Sequence, residues 1–555
     1  MADASFDVVI IGGGQQGLVI GNYLAHNGMT VGIFEQRQEL GGAACSDPRP
    51  VAGFIGNPHA DHAMFMAVPA YYDFNLREKG LDFVFSEVRQ AYVFPDERCL
   101  LLYKAMEWNK ETGEFVPNQE MIDRNIKEVE KFSPRDAQAL TRLVPSFYKW
   151  QLAFGTMLFN PPPLPGEFDP MEDLFNDPVT GVPPRYRFMT LMEIVNDLFD
   201  SAELKTSIFK LAMIAGQYPD EVPALDLALA AISGFTGVGL IGLPQGGAHN
   251  IAHALQRAFS EQGGRFFVGA DVDQVLIEND RARGIKLADG TEIEAKELVI
   301  DTAEIKQTIN RHLGEAPISS DIRRKIDNLR TDRCQVLWGT IGFHELPQYK
   351  AASWNPDLNK ARWIFMGDAD VEYFCREYRY RMQHLRPGQW PEKLYPSEAN
   401  YSKWDPSYAP PGKHGTLWAE GCAPPASWLS EREWLQLKKE AADQYLREWQ
   451  RYAPNMTQEN VIGIHIGTPY DHQQENANWV DGCWATLSFT PAQSYKFRPL
   501  PELAQYQIPG IENFYMASGS SHAGGIATAG FAGYGCYKRI AQKLDLWKPW
   551  EGRLY

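Results

Sequence analysis

A two-part α/β chain, one part built on a parallel sheet and the other of mixed α+β character, is what this sequence predicts, and three observations predict it. A β-branched run at residues 8–11 passes through closely spaced glycines into a helix and then a second strand. Residues 265–305 alternate short β runs with turn signals. A second glycine-rich stretch, SGSSHAGGIATAGFAGYG at residues 518–535, stands near the other end of the sequence. With 555 residues the chain also exceeds the size at which one core serves, so two or more domains are expected.

The first element lies in FDVVIIGGGQQGLVIGNYLAHNGMTVGIFEQ. Residues 8–11 read as a strand buried on both faces, and Gly12-x-Gly14-x-x-Gly17 opens the helix after it. Gly12 allows a tight turn. Gly14 lets backbone N–H groups approach a pyrophosphate at the helix N-terminus, and Gly17 lets the helix pack closely on the strand. The second strand, residues 30–34, ends at Glu35, at the offset where a carboxylate accepts hydrogen bonds from a ribose. A lone glycine fingerprint is a weak signal. Strand, fingerprint, helix, strand and acid together read as dinucleotide binding. Gly41 and Gly42 follow in QRQELGGAACS, and this ExxxxxGG pattern is similar to that of the glutathione-reductase-like FAD superfamily, which implies FAD rather than NAD.

A second literal match, Gly237-x-Gly239-x-x-Gly242, is rejected on context, because helix or loop precedes it, Pro244 follows at once and no ribose carboxylate stands downstream. PQGGAHN instead leads into an amphipathic helix through Ile251, Leu255 and Phe259. The turn signals Glu278-Asn279-Asp280 and Asp289-Gly290 then predict a hairpin unit, followed by a buried strand at residues 297–300.

Composition narrows the function classes. A net charge of −17 argues against a nucleic-acid surface, which needs a cationic face. Seven scattered cysteines, without a C-x-x-C pair, read as reduced thiols of a cytoplasmic protein and offer no zinc site, so no metal is expected. The start of the chain carries no basic leader, and no apolar run reaches the roughly 20 residues of a spanning helix. Peripheral contact with a membrane is left open, as is the oligomeric state.

Several further blocks, FSPRDAQAL, PQGGAHNIAHAL, YAPPGKHG, GTPYDH and FRPLPELAQYQIPGIENFYMASGSSHAGG, complete a resemblance that runs along most of the chain. It resembles the carotenoid (phytoene) desaturase-like FAD-dependent oxidoreductases, and more closely their relatives among the pyridine nucleotide-disulphide oxidoreductase domain-containing proteins. The resemblance implies a Rossmann-type FAD domain assembled from residues 1–70, 235–305 and 490–545, with a substrate domain from residues 71–234 and 306–489. It implies that Val272 meets the adenine through its backbone, and that Gly519, Gly524 and Gly525 close the cofactor site, the helix after Gly525 aiming its N-terminus at the flavin. Where the family pattern has proline and glycine, this chain has Ala523 and Ile526.

Within the substrate domain, residues 120–235 read as mainly helical, with a helix start where Ser133 caps and Pro134 enters the first turn. FNPPPLPGEFDP reads as a surface loop. A strand at residues 336–342 and an amphipathic helix at residues 430–451 complete the reading.

The implied reaction is hydride removal to flavin N5, leaving a C–C double bond in a lipophilic or alicyclic molecule. A target carbon beside a carbonyl also needs a base and an enolate donor. The candidates for contact with flavin or substrate are His522, Tyr495, Arg498 and His59, with Asp61, His62, Tyr470, Asp471 and His472 beside them. Core packing and surface loops are the competing readings for each, and Arg498 could equally hold backbone carbonyls. The electron acceptor is left open among quinone, dioxygen and another carrier. An amine oxidase, a saturase or isomerase using reduced FAD, and a non-catalytic prenyl-binding escort of the GDP-dissociation-inhibitor type are the alternatives. The intact fingerprint and Glu35 speak against the last.

Overall fold

In the computed structural model, residues 2–59, 64–109, 114–235, 241–525 and 530–551 are described. The strand Ala4–Ile11 is the centre of the first sheet, as its apolar run demands; Val8, Val9 and Ile10 have no exposed surface. It pairs in parallel with Val31–Glu35 on one side and Glu292–Asp301 on the other. Arg265–Val268 extends the sheet beyond Val31–Glu35, again in parallel. The hairpin Val272–Glu278 and Arg281–Leu287 lies antiparallel at the far edge, with Asn279 and Asp280 both at positive φ in its turn. Phe514–Met516 pairs in parallel with the end of Glu292–Asp301.

Helices cover this sheet because its strands are apolar on both faces. Gln15–His26 packs against His249–Glu261, where Asn22 Nδ2 donates to the Leu255 carbonyl at 3.0 Å. It also packs against Phe531–Leu544, with Tyr23 stacked on Tyr537 at 4.5 Å and the Gly533 N–H donating to Gln16 Oε1 at 2.8 Å. Ile305, Ile309, Ile322 and Ile326 fill the opposite face.

A second seven-stranded sheet runs in the order Val461–Gly467, Val336–Phe343, His414–Gly421, Ser397–Asn400, Ala361–Met366, Val88–Val93 and Cys99–Tyr103. Its pairs are antiparallel except Ala361–Met366 with Val88–Val93. The helix Pro134–Phe159 begins as its sequence predicts, with the Ser133 side chain accepting from the Asp136 N–H. Glu431–Tyr452 carries a capping box from Ser430 and Glu433, and buries Trp434, Leu437 and Trp449.

Two elements differ from expectation. The strand predicted at 297–300 spans Glu292–Asp301, because Ile293 and Ala295 alternate inward against the hairpin and the first strand. The helix expected directly after Gly525 begins at Phe531, with Gly530 as its N-cap, and residues 526–529 lie outside the described residues. Of the rejected fingerprint, Gly237 and Gly239 also lie outside them. Gly242 is followed by the short strand Leu243–Pro244, where a phosphate turn would need a helix. No described helix is long and apolar enough to cross a membrane. All seven cysteines are free and buried.

Candidate active site

The glycine turn, the second strand and the C-terminal loop converge on one cavity of about 1040 Å³, its mouth included. Gly12, Gly14, Glu35, Gly42, Val272, Gly519 and Gly525 all line it. The other three glycines of the predicted set stand behind the wall. A Cβ on Gly17 would run into the Gly12 carbonyl, one on Gly41 would lie 2.7 Å from the Ala44 carbonyl, and one on Gly524 would meet the carbonyls of Ser518, Gly519 and Ser521.

Glu35 is buried at the end of its strand and is held on both carboxylate oxygens. The Gly13 N–H donates to Oε2 and the Arg37 N–H to Oε1, each at 2.8 Å. These bonds fix the carboxylate at the cavity wall beside Val272. The Ala270 N–H donates to the Glu35 carbonyl at 2.9 Å, which brings the hairpin to the same point. Gly12, at φ +92°, turns the chain while Thr302 Oγ1 donates to the Ile11 carbonyl at 2.8 Å. The backbone at Gly14 stays open, since a Cβ there would meet only Gly42 Cα at 3.7 Å.

The C-terminal loop is tied to the same strand ends. The Ala517 N–H donates to the Asp301 carbonyl at 2.9 Å, and the Ile305 N–H to Ser520 Oγ at 3.0 Å. A carboxylate set for hydroxyl donors, an open backbone at a helix N-terminus and a hairpin wall fit FAD at ribose, pyrophosphate and adenine. Thr302, His312, Asn478, Trp479, Trp484 and Thr486 also line this cavity and are not foreseen from the sequence. They arrive from three segments, the end of the strand Glu292–Asp301, the helical turn Thr308–His312 and residues 478–486, without a local sequence signature.

A second, apolar cavity of about 1760 Å³ adjoins the first, and Trp479 and Trp484 line both. Leu211, Ile214, Leu227, Val336, Trp338 and Phe489 are among its walls. His59 lines it as well, its ring 4.5 Å from Trp479 and 5.6 Å from His472. His59 Nε2 lies 3.5 Å from Glu475 Oε2, and ligand atoms of His59, His472 and Glu475 fall within 4.8 Å of one another. Burial, reinforced by the His472 neighbour, pushes the His59 pKa well below its ordinary value, and burial pushes His472 down to about 4. Both rings are therefore neutral near pH 7.

Among the described candidates, His522, Tyr495, Arg498, Tyr470, Asp471 and His472 line neither cavity. His522 is buried, its Nε2 donating to the Met157 carbonyl at 2.8 Å and its ring edge-on to Tyr495 at 5.2 Å; it lines neither cavity. Burial pushes its pKa down to about 4. Tyr495 Oη donates to Asp169 Oδ1 at 3.3 Å, and burial, then Asp169, raises its pKa. Arg498 is fully buried and donates to the carbonyls of Ala485 at 2.7 Å, Gly519 at 2.8 Å and Gln493 at 3.0 Å. Of its two readings, the structure displays backbone-carbonyl binding. Asp471 caps the short helix Pro469–Glu475 and pairs with Lys438 at 2.9 Å, while Tyr470 packs against the core of the second sheet. Asp61 and His62 lie outside the described residues.

Comparison with known proteins gives the family. Residues 17–534 match the family model described as flavin containing amine oxidoreductase. The chain is similar to a component of the limonene dehydrogenase of Castellaniella defragrans, with 23% identity over 97% of this chain and 95% of that one. It is also similar to pyridine nucleotide-disulfide oxidoreductase domain-containing protein 2 of Mus musculus, with 24% identity over 94% and 90%. A putrescine oxidase structure aligns with a TM-score of 0.59 at 15% identity, covering 98% of this chain and 99% of its own, a likeness of fold. The chain therefore belongs to the flavin-containing amine oxidoreductase family, and is an oxidoreductase whose cofactor is FAD.

Proposed function

We propose that this oxidoreductase desaturates a C–C bond of a lipophilic small molecule held in the apolar cavity. The observation that carries the reading is the adjacency of the two cavities, with the indoles of Trp479 and Trp484 in the wall common to both. FAD, when bound, supplies a two-electron acceptor for hydride. The chain supplies position and dryness. Leu211, Ile214, Leu227 and Phe489 shed water on contact with an apolar skeleton, a gain of roughly 25 cal/mol per Å² of apolar surface covered. The sequence relatives include a limonene dehydrogenase component and a 4,4'-diapophytoene desaturase, which supports this substrate class.

Where the target carbon lies beside a carbonyl, His59 is the proposed proton acceptor. It lines the apolar cavity and is held neutral by burial. Glu475, close to Nε2, would orient the ring and stabilise it once protonated. Quinone or dioxygen is the proposed electron acceptor.

The test is an anaerobic screen of terpenoid and alicyclic compounds against the FAD-loaded protein. Loss of the oxidised-flavin absorbance and a product two mass units lighter are expected. Reduction by amines alone would overturn the reading.

A further inference from the structure

Three donors of metal-ligand type, His59, His472 and Glu475, meet beside the wall common to the two cavities, where Trp479 lies 4.5 Å from the first ring and 5.5 Å from the second. His472 and Glu475 stand three residues apart on the helix Pro469–Glu475, a spacing that puts both on one face. The capping box of Thr468 and Asp471 fixes where that helix starts, and Asp471 is further committed to Lys438. His59 comes from the other side. Two residues before it the buried Asn57 anchors the chain, its Oδ1 accepting from Ser46 Oγ at 2.6 Å and its carbonyl from Trp338 Nε1 at 2.8 Å.

The spacing suits a cation. Around a tetrahedral Zn²⁺ with bonds of about 2.0–2.2 Å, neighbouring ligand atoms stand about 3.4 Å apart. His59 Nε2 and Glu475 Oε2 are 3.5 Å apart, and one ligand atom of each of the three residues lies within 4.8 Å of the other two. Side-chain shifts of at most about 1.4 Å therefore close the set. His472 adds an independent observation. It is 2% exposed, and among the described residues neither its Nδ1 nor its Nε2 has a hydrogen-bond partner. Buried polar atoms are ordinarily paired, and a cation on one nitrogen would pair it. Both rings are held neutral by burial, the form in which imidazole ligates. Two imidazoles and one carboxylate are the donor set of zinc sites that keep a fourth position open. The Glu475 side chain is half exposed and gives the cation a way in from solvent.

We infer that His59, His472 and Glu475 form a site for a divalent first-row cation, Zn²⁺ by donor type, with the fourth position left to water. A bound cation ties the helix Pro469–Glu475 to residues 57–59, and so holds Trp479, packed against both rings, in the wall between the cavities. It also takes the place of the proton that Glu475 would stabilise on His59, so a loaded site withdraws His59 from proton transfer. That last consequence rests on the proposed function, whereas the binding stands apart from it.

Titration of the FAD-loaded protein, first stripped of metal with a chelator, tests it, with Zn²⁺ followed by calorimetry and Co²⁺ by the intense ligand-field bands of a four-coordinate site. A single Zn²⁺ per chain is expected, at a Kd of about 1 µM or tighter. His472→Ala should abolish saturable binding. Glu475→Gln, at a half-exposed position, should weaken it about tenfold or more at unchanged FAD stoichiometry. No saturable binding by the wild-type protein would overturn the inference. So would binding by both variants as tight as that of wild type, which would mark an adventitious site elsewhere, such as His249 and His253 one helical turn apart. Failure of every compound in the substrate screen to reduce the flavin would sink the desaturase reading yet leave Zn²⁺ binding standing.

Discussion

His312 Nδ1 donates to Asp301 Oδ2 at 2.7 Å, both side chains buried, where the strand Glu292–Asp301 delivers the chain to the cofactor cavity. Burial alone would depress the histidine, but the Asp301 carboxylate outweighs it and raises the pKa above the ordinary 6.5. A raised folded-state value contributes stability in full below about pH 6.5, lost as pH rises through the folded value. The melting temperature of His312→Asn should therefore fall furthest below wild type at about pH 5.5, with the gap closing toward about pH 9. A gap that widens with pH would refute the pairing.

Glu35→Gln tests the cofactor wall. One of the two N–H groups now bonded to the carboxylate would face an amide donor instead, and the charge proposed to receive the ribose hydroxyls would be gone. FAD affinity, read by flavin fluorescence on titrating apoprotein, should weaken about 10- to 100-fold. Affinity within twofold of wild type would place the ribose elsewhere.

Arg498→Lys keeps the charge and loses the fork. A lysine cannot reach the carbonyls of Ala485, Gly519 and Gln493 together, so at least two are orphaned at about 1–3 kcal/mol each. The denaturant midpoint should drop by the equivalent of about 2–6 kcal/mol, together with FAD retention. Loss of turnover at full stability and full FAD content would instead favour the reading of Arg498 as a substrate ligand.

For His522 the expected outcome is structural. Its Nε2–H is spent on the Met157 carbonyl, and its ring stays neutral across the physiological range because burial holds the pKa at about 4. His522→Ala should lose about 1–3 kcal/mol of stability, and His522→Gln, which keeps a donor, should recover part of it with near-normal turnover. A stable alanine variant that binds FAD but turns over poorly would restore His522 to the chemistry.

What the sequence makes legible is what one contiguous stretch determines. Gly12, Gly14 and Glu35 belong to a single strand–turn–helix–strand unit, so spacing alone places them around one ligand. Trp479 and Trp484 reach the same cavity on a loop far along the chain, and His59 meets His472 and Glu475 only through tertiary packing, which no spacing in the chain encodes. GTPYDHQQ is open to a surface-loop reading, although its signal is present. Thr468 caps, Pro469 enters the first turn and Asp471 returns the bond, a helix start that buries His472 beside His59. The late start of the C-terminal helix at Phe531 has no comparable cue, since the glycine- and alanine-rich run before it fits helix and loop alike.

The strand Glu292–Asp301 lies between Ala4–Ile11 on one side and Phe514–Met516 on the other. During synthesis the first strand must wait for the chain's middle before it gains that neighbour, and the middle strand must wait almost to the end for its own. Sheet closure, and with it the pocket for the cofactor, is thus a late event with apolar edges exposed in the interval. A chain that has not yet reached Phe514 lacks both the last strand of this sheet and the loop carrying Gly519 and Gly525 that completes the cavity wall.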